Sequence, residues 1–287
     1  MSGIDRVGVV GCGAMGTGFA EVAARAGLEV TVVARSEPAI ARTTERLAHS
    51  LERALKKGKL TTEERDAALS RVTFTTSLKD LRDRQFVLEA VRESLADKRE
   101  VLGELDAVLT DPDAVLASTT SSIPIMKLGQ CVRDPGRVLG VHFFNPVPVM
   151  PLAELVASLR TRPAVLDRTR SLVTHTLGKQ VVQAQDQPGF IVNSLLIPYL
   201  LAAVRMLESG PASAEEIDRG MVLGCGHPMG PLALVDLIGL DVIVSVAEAM
   251  YEELKEPLYA PPSLLLRMVE AGFLGRKSGR GFHAYDA

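Results

Sequence analysis

His142 stands in the stretch of this 287-residue sequence that most clearly suggests acid–base chemistry. His142 lies in a strand-like run, RVLGVHFF. Asn145 precedes Pro146, and this order predicts a stiff, extended connection after the strand. Glu154 follows in an alternating apolar run, MPLAELV, that is typical of a returning strand. If the two strands are neighbours, the carboxylate can fix the tautomer of the imidazole and stabilise its protonated form. A lone histidine on a strand is more often a core residue, but this combination favours a catalytic base.

Hydroxyl and carboxylate side chains cluster at the predicted ends of two earlier strands. The run FVLEAV indicates a fully buried strand with Glu89 and Glu93 at its carboxyl end. The next strand, VLAS, ends in a tip of five hydroxyl residues from Ser118 to Ser122. Such a tip is usually only a turn, but ligands bind at the carboxyl ends of strands in parallel sheets. We therefore predict a site at this edge.

The elements that must position these groups begin at the amino terminus. VGVVGCGAMG indicates a short buried strand followed by glycines at G-x-G-x-x-G spacing, and a helix and a second strand follow. The first glycine permits a tight turn, the second lets a pyrophosphate approach the backbone, and the third allows close helix packing. The free N–H groups of the helix then face the phosphates. We predict dinucleotide contacts from Gly11, Gly13, Ala14, Met15 and Gly16.

The end of the second strand bears on the choice of dinucleotide. NAD-binding units usually carry an acidic residue about twenty residues past the glycines, bound to the ribose 2′-hydroxyl. Here Ala34 occupies that place, and Arg35 and Ser36 follow it. A guanidinium and a hydroxyl can bind a 2′-phosphate that a carboxylate would repel. We predict a preference for NADP, with NAD as the alternative if Arg35 is simply solvated.

Composition and charge exclude several classes of protein. The formal net charge is −3 with mixed signs, which gives no footprint for nucleic acid or a membrane surface. The three cysteines have no metal-binding spacing, so we expect no metal site and a reducing compartment. The first strand is predicted within a few residues of the first position, so we expect no signal peptide, and no apolar run has transmembrane length. We expect a cytoplasmic protein.

The pattern of elements predicts an α/β fold in two domains. Alternating strands and helices indicate a Rossmann-type dinucleotide-binding domain over residues 1–187, with a helical hairpin inserted after the second strand. From 188 to 287 the pattern is helical, which predicts a domain for substrate binding and dimerisation. Its apolar run GHPMGPLALVDLIGLDVIVSVAEAMYEEL exceeds the needs of one core, so we expect a homodimer through this domain.

Two features of these domains admit two interpretations each. The hairpin carries a basic face that is either solvated or a clamp for the phosphates of an acyl carrier. Asn193, in the first turn of a long apolar helix, either faces water or contacts substrate.

Six runs in the same order resemble one family along essentially the whole chain. These runs are GCGAMG, ASTTSSIPI, HFFNPVPVMPLAELV, QPGFIVN, HPMGPLALVDLIGLD and LGRKSGRGF. They resemble the short-chain (S)-3-hydroxyacyl-CoA dehydrogenases, and most of all the bacterial 3-hydroxybutyryl-CoA dehydrogenases. HFFNPVPVM and LGRKSGRGF are the specific runs, since the glycine motif is shared with many other proteins.

The resemblance implies a role for individual residues. His142 matches the family's catalytic base and Glu154 its carboxylate partner. Ser121 and Asn193 match the other two catalytic residues of the family, which also bind the substrate. The positions that match family contacts to the nicotinamide nucleotide are Glu93, Lys98, Asn145 and Lys277. Those that match hairpin contacts to coenzyme A are Ser50 and Lys57.

The sequence departs from the family pattern at three positions. The family usually has Asn where Thr119 stands, so an amide is missing near the site. Ala34 replaces an acid, which agrees with the NADP prediction. His283 stands where relatives often have Tyr, and the sequence gives no interpretation of it.

The expected reaction is hydride exchange between nicotinamide and the 3-hydroxyl carbon of an acyl-CoA, with His142 moving the hydroxyl proton. A dehydrogenase of the same build that acts on an acyl-carrier-protein thioester or a free hydroxy acid is the first alternative. A non-catalytic dinucleotide-binding protein is the second.

Overall fold

The computed structural model describes residues 3–285. The chain forms two compact units that meet in sequence between Gln187 and Pro188. The first is an α/β unit and the second is helical, which confirms the predicted fold class.

A single eight-stranded sheet organises the first unit. Its spatial order is β3-β2-β1-β4-β5-β6-β7-β8, and all neighbouring pairs are parallel except β6 with β7. The strands are β1 (Arg6–Val10), β2 (Glu29–Val33), β3 (Val72–Thr75), β4 (Phe86–Glu89), β5 (Val115–Ser118), β6 (Val138–Phe143), β7 (Leu152–Ala157) and β8 (Gln180–Gln185). The central strands are continuous apolar runs because helices cover the parallel sheet.

Six helices surround this sheet. They are α1 (Ala14–Arg25), α2 (Glu37–Lys56), α3 (Thr62–Ser70), α4 (Leu95–Val108), α5 (Ile125–Gly129) and α6 (Pro163–Ser171). Helices α2 and α3 form the predicted hairpin insertion. Thr61 and Glu64 cap α3 reciprocally, as their spacing predicts.

The core of the first unit lies between the sheet and α1. Phe19 of α1 packs against Phe86 and Phe143, with ring centroids 5.9 and 5.6 Å apart. All three side chains are buried. This packing fixes α1, and with it the glycine turn, relative to the strand that carries His142.

The second unit has a core of its own, built from five helices. These are α7 (Val192–Ser209), α8 (Ala214–Cys225), α9 (Pro231–Ile238), α10 (Leu240–Leu254) and α11 (Ser263–Glu270). Ser213 and Glu216 form the predicted capping box of α8. Gly239, at a φ of 111°, separates α9 from α10 within the long apolar run. Within residues 3–285, no helix is long and apolar enough to cross a membrane.

Candidate active site

His142 and Glu154 face each other across the antiparallel pair β6–β7. Nδ1 of His142 lies 2.6 Å from Oε2 of Glu154, and the two residues are 5% and 0% exposed. The ring edge of His142 also packs on Phe144, with centroids 4.8 Å apart, a contact that the sequence analysis did not identify. The carboxylate therefore holds one ring nitrogen of a rigidly oriented imidazole.

Ser121 faces the other nitrogen of the same ring. Its Oγ lies 3.1 Å from Nε2 of His142, so that Glu154, His142 and Ser121 form a continuous line. With Glu154 ionised, Nδ1 donates its proton to the carboxylate and Nε2 becomes the acceptor. Nε2 is therefore the nitrogen that can take a proton from a bound hydroxyl group.

Glu93 lies beside this line and holds the turn that carries Ser121. Its Oε1 accepts hydrogen bonds from the backbone N–H of Ser121 at 2.9 Å and of Ser122 at 3.1 Å, and from the Thr120 hydroxyl. Burial raises the pKa of this carboxyl, but Lys98 and the hydrogen bonds outweigh it, so the pKa lies below its usual value. Glu93 is therefore a carboxylate at neutral pH.

Lys98 is almost fully enclosed at the start of α4. The residue is 1% exposed, and its ammonium binds both carboxylate oxygens of Glu89 at 2.9 and 3.1 Å. Glu89 is itself 0% exposed and also accepts from the Ser118 hydroxyl at 2.6 Å. Nζ of Lys98 also lies 3.4 Å from Glu93, so one buried ammonium contacts both carboxylates predicted at the end of β4.

The glycine turn has the shape that a dinucleotide requires. Gly11 has a φ of 108°, and a Cβ there would lie 2.4 Å from the carbonyl oxygen of Ala90. A Cβ on Gly16 would lie 2.0 Å from the carbonyl oxygen of Gly11. Gly13 differs, because a Cβ there would meet nothing within 4 Å. The chain itself does not require this glycine, so the space at Gly13 suits an incoming phosphate.

The start of α1 supports this assignment. The helix begins at Ala14 after Gly13, and no side chain caps it. Its first N–H groups, at Ala14, Met15 and Gly16, suit the phosphates of NAD or NADP. Arg46 of α2 donates to the carbonyl of Cys12 at 2.9 Å and ties the turn to the hairpin, which the sequence analysis did not anticipate.

The carboxyl end of β2 carries no acid. Ala34 is buried, whereas Arg35 and Ser36 are exposed, and the Ser36 side chain does not cap α2. Asp97, an acid in the first turn of α4, lies near Arg35. The pKa of Asp97 is lowered by its hydrogen bonds with Arg92 and, to a smaller extent, by the charge of Arg35.

Asn145 lies on an exposed connection between β6 and β7 that a buried lysine supports. Nζ of Lys179 donates to the carbonyl oxygens of Val147 at 2.6 Å and Met150 at 2.7 Å. Burial lowers the pKa of Lys179, and the charge of Arg25 lowers it further. The Asn145–Pro146 peptide bond is cis. The sequence analysis missed Lys179 because the lysine is distant in the chain from the loop that it supports.

The remaining predicted site residues lie on the hairpin and in the second unit. Ser50 is half-buried on α2, and Lys57 is exposed at the end of that helix. Asn193 lies in the first turn of α7. Lys277 binds the carboxylate of Asp241 at 2.5 and 2.7 Å. Their contacts with ligands stay predictions.

The structure gives His283 a structural partner. Its Nε2 lies 2.8 Å from Asp218, which also accepts from the backbone N–H groups of Leu232 at 2.7 Å and Ala233 at 2.9 Å. His283 therefore joins the carboxyl-terminal segment to α8. Among residues 3–285, no cluster of metal-binding side chains occurs.

Comparison with known proteins supplies the family. The model of the 3-hydroxyacyl-CoA dehydrogenase NAD binding domain matches residues 6–187, and the model of the C-terminal domain of the same family matches residues 189–285. The chain belongs to the 3-hydroxyacyl-CoA dehydrogenase family. This result confirms the resemblance and the predicted oxidoreductase class.

Relatives within the 3-hydroxyacyl-CoA dehydrogenase family are similar over the whole chain. A 3-hydroxybutyryl-CoA dehydrogenase from Mycobacterium tuberculosis is 59% identical over 282 residues, which cover 98% of this chain and 99% of the relative. The crystal structure of M. tuberculosis FadB2 matches with a TM-score of 0.97 over 99% of both chains, at 59% identity. The (S)-3-hydroxybutyryl-CoA dehydrogenase PaaH1 from Ralstonia eutropha matches with a TM-score of 0.93 at 43% identity, over 99% of this chain and 100% of that one.

Proposed function

We propose that this protein is a 3-hydroxybutyryl-CoA dehydrogenase that interconverts (S)-3-hydroxyacyl-CoA and 3-oxoacyl-CoA of short chain length. The observation that carries the proposal is the line of Glu154, His142 and Ser121, with contacts of 2.6 and 3.1 Å. Two relatives that are 59% and 42% identical over 98% of this chain are named 3-hydroxybutyryl-CoA dehydrogenases. A dinucleotide-binding protein without catalytic activity would not need these three side chains in contact.

The chain's own residues supply proton transfer and orientation. NAD or NADP, held by the glycine turn at Gly11 and Gly13, would supply hydride acceptance in the oxidation direction and hydride donation in the reduction direction. In oxidation, Nε2 of His142 takes the proton of the 3-hydroxyl group while Nδ1–H keeps its bond to Glu154. Glu154 stabilises the positive charge that the imidazole gains, and the Ser121 hydroxyl donates to the substrate oxygen. A positioned base of this kind contributes about 10²–10⁴-fold to the rate.

The proposed substrate carrier is coenzyme A. Ser50 and Lys57 on the hairpin would bind its phosphates, and Asn193 would contact the acyl group. A free hydroxy acid offers Ser50 and Lys57 no phosphate to bind. Equal rates with acetoacetyl-CoA and acetoacetate would therefore contradict this part of the proposal.

The proposed cofactor preference is NADP over NAD. It is supported by the missing acid at Ala34 and by the exposed Arg35 and Ser36. Initial rates of acetoacetyl-CoA reduction with NADPH and NADH, measured side by side, test it. We expect a higher kcat/KM with NADPH, and a higher value with NADH would refute the preference.

We also propose that the protein is a cytoplasmic homodimer joined through its helical unit. Large apolar side chains are exposed there, including Leu195 at 73% and Leu223 at 71%. Such exposure is typical of an interface when it is contiguous. Light scattering after size exclusion should give twice the mass of 30.8 kDa, and a monomer at micromolar concentration would refute the dimer.

The substitution His142→Gln tests the proposed reaction. We expect kcat for acetoacetyl-CoA reduction to fall about 10²–10⁴-fold, because the general base is lost. The dissociation constant of NADH should change little. His175→Gln is the matched control, since His175 is an exposed histidine of the same unit. A variant that retains a near-normal rate would refute the role of His142.

A further inference from the structure

One carboxylate oxygen of Glu93 accepts most of the hydrogen bonds that the turn carrying Ser121 donates. Oε1 of Glu93 accepts from the backbone N–H of Ser121 at 2.9 Å and from both the N–H and the hydroxyl of Ser122 at 3.1 Å. The Thr120 hydroxyl donates to the same oxygen. The turn after β5 is therefore organised around a residue that precedes α4, almost thirty positions earlier in the chain.

The other oxygen of Glu93 faces a buried cation. Nζ of Lys98 lies 3.4 Å from Oε2 of Glu93, in addition to its contacts with Glu89 and a bond to the carbonyl of Val91 at 3.3 Å. An ammonium has three N–H groups, and these three neighbours account for all of them. Lys98 therefore acts as a fixed positive charge beneath Glu93.

This arrangement keeps Glu93 ionised in spite of its partial burial. The desolvation that would raise its pKa is outweighed by Lys98 and by the hydroxyl and backbone donors. An ionised acceptor forms stronger hydrogen bonds than a neutral one. The carboxylate can therefore hold the Ser121 turn, which we define as residues 120–122, in one conformation.

We propose that Glu93, held in place by its ion pair with Lys98, is a positioning residue that keeps the Ser121 hydroxyl in contact with Nε2 of His142. The proposal rests on the proposed function, because the Ser121–His142 contact at 3.1 Å matters only if His142 moves a proton. It also differs from a direct contact between Glu93 and nicotinamide. Misplacement of a reacting group by about 1 Å lowers the rate about 10²-fold. Loss of the hydrogen bonds between Glu93 and the turn should therefore lower kcat by a measurable amount.

A double-mutant cycle tests whether Glu93 acts through Ser121. The variants are Glu93→Ala, Ser121→Ala and the double variant, with Glu100→Ala as a control because Glu100 is exposed on α4. We expect Glu93→Ala to lower kcat about 10–100-fold in the native background. In the Ser121→Ala background the same change should cost less than about twofold, because coupled residues are not additive.

Cofactor affinity separates positioning from direct binding. We expect the loss of kcat caused by Glu93→Ala to depend on Ser121, whereas any rise in the dissociation constant of NADH, measured by fluorescence, should be the same in the native and Ser121→Ala backgrounds, because a contact of Glu93 with the nucleotide does not pass through Ser121. Independent, multiplicative effects in the cycle would overturn the proposal. So would a rise of tenfold or more in the dissociation constant with kcat unchanged.

Hydrogen exchange tests the hydrogen bonds between Glu93 and the turn without any need for enzymatic activity. In Glu93→Ala, the amides of Ser121 and Ser122 should exchange about tenfold faster than in the native protein or in Glu100→Ala, because these two amides lose their acceptor. Unchanged exchange would overturn the proposal. If the native protein turns over no 3-oxoacyl thioester, the proposed function fails, and the exchange rates still decide whether Glu93 holds the turn.

Glu93→Gln covers the case in which the alanine variant does not fold. Gln keeps an oxygen that can accept from the turn but loses the charge that faces Lys98. We expect a loss of kcat intermediate between the native protein and Glu93→Ala, with a smaller increase in exchange. A glutamine variant with native kcat and native exchange would overturn the role of the charge.

Discussion

Glu154→Gln removes a buried negative charge beside His142 while keeping a side chain of nearly the same shape. The carboxylate oxygen lies 2.6 Å from Nδ1, and Glu154 is 0% exposed, so water cannot replace the lost charge. The amide can still accept from Nδ1–H through its oxygen. The substitution therefore isolates the charge from the hydrogen bond that sets the tautomer.

The expected magnitude follows from Coulomb's law. Two unit charges about 4 Å apart interact with about 4 kcal/mol at an effective dielectric constant of about 20. At about 1.4 kcal/mol for each tenfold change, the loss of that stabilisation corresponds to nearly three decades in rate. The amide dipole recovers part of it, so we expect kcat to fall about 10²–10³-fold.

The assay is acetoacetyl-CoA reduction at saturating cofactor, together with the dissociation constant of NADH. The dissociation constant should stay near the native value because Glu154 lies behind the imidazole. Glu104→Gln, on the exposed side of α4, controls for a general effect of the substitution. A folded Glu154→Gln variant whose kcat falls less than about fivefold would refute the view that the carboxylate stabilises charge on His142.

Three further substitutions test other parts of the structure. Ala34→Asp should shift kcat/KM toward NADH by about tenfold or more, because a carboxylate binds the ribose 2′-hydroxyl and repels a 2′-phosphate; an unchanged ratio of rates would refute this. Thr119→Val should raise the free energy of unfolding by about 1 kcal/mol, because the Thr119 hydroxyl is buried without a hydrogen-bond partner among the described residues. A lower free energy of unfolding in urea titrations would contradict this prediction. Asp106→Asn should lower that free energy by about 3 kcal/mol, because it leaves Arg137, which is 4% exposed, without its ion pair. Desolvation would raise the pKa of Asp106, but Arg133 and Arg137 outweigh it and hold the pKa below 3.8, so this stability should be present above pH 3.8 and lost as the pH falls below it. In urea titrations, the fall in the free energy of unfolding from pH 7 to pH 3 should be smaller in Asp106→Asn than in the native protein.

Much of the fold could be predicted because its signals are local. The glycine turn, the apolar runs of β1, β4 and β5, and the capping boxes at Thr61 and Ser213 each lie within a few residues. The partnership of His142 and Glu154 could be anticipated for a related reason. The connection between β6 and β7 is too short for a crossover helix, so the strands had to return antiparallel.

The supports of the site could not be predicted from the sequence in the same way. Lys179 holds the loop at Val147 and Met150, and Arg46 holds the carbonyl of Cys12, across about thirty residues in each case. Such contacts depend on which elements become neighbours in the sheet order. Backbone carbonyl acceptors also leave no trace in residue type. The family resemblance implied a cofactor contact for Glu93 but not the hydrogen bonds that Glu93 accepts from the Ser121 turn.

The alternation of β7 has a consequence for the accuracy of folding. Ala153 and Leu155 belong to the core, while Glu154 points to the opposite face and meets His142. A slip of one position would bury the carboxylate in an apolar layer with no partner, at a cost of several kcal/mol. The misaligned molecule would be unstable, and Glu154 would no longer contact His142. Burial of the apolar residues of β7 therefore selects the strand register in which Glu154 meets His142.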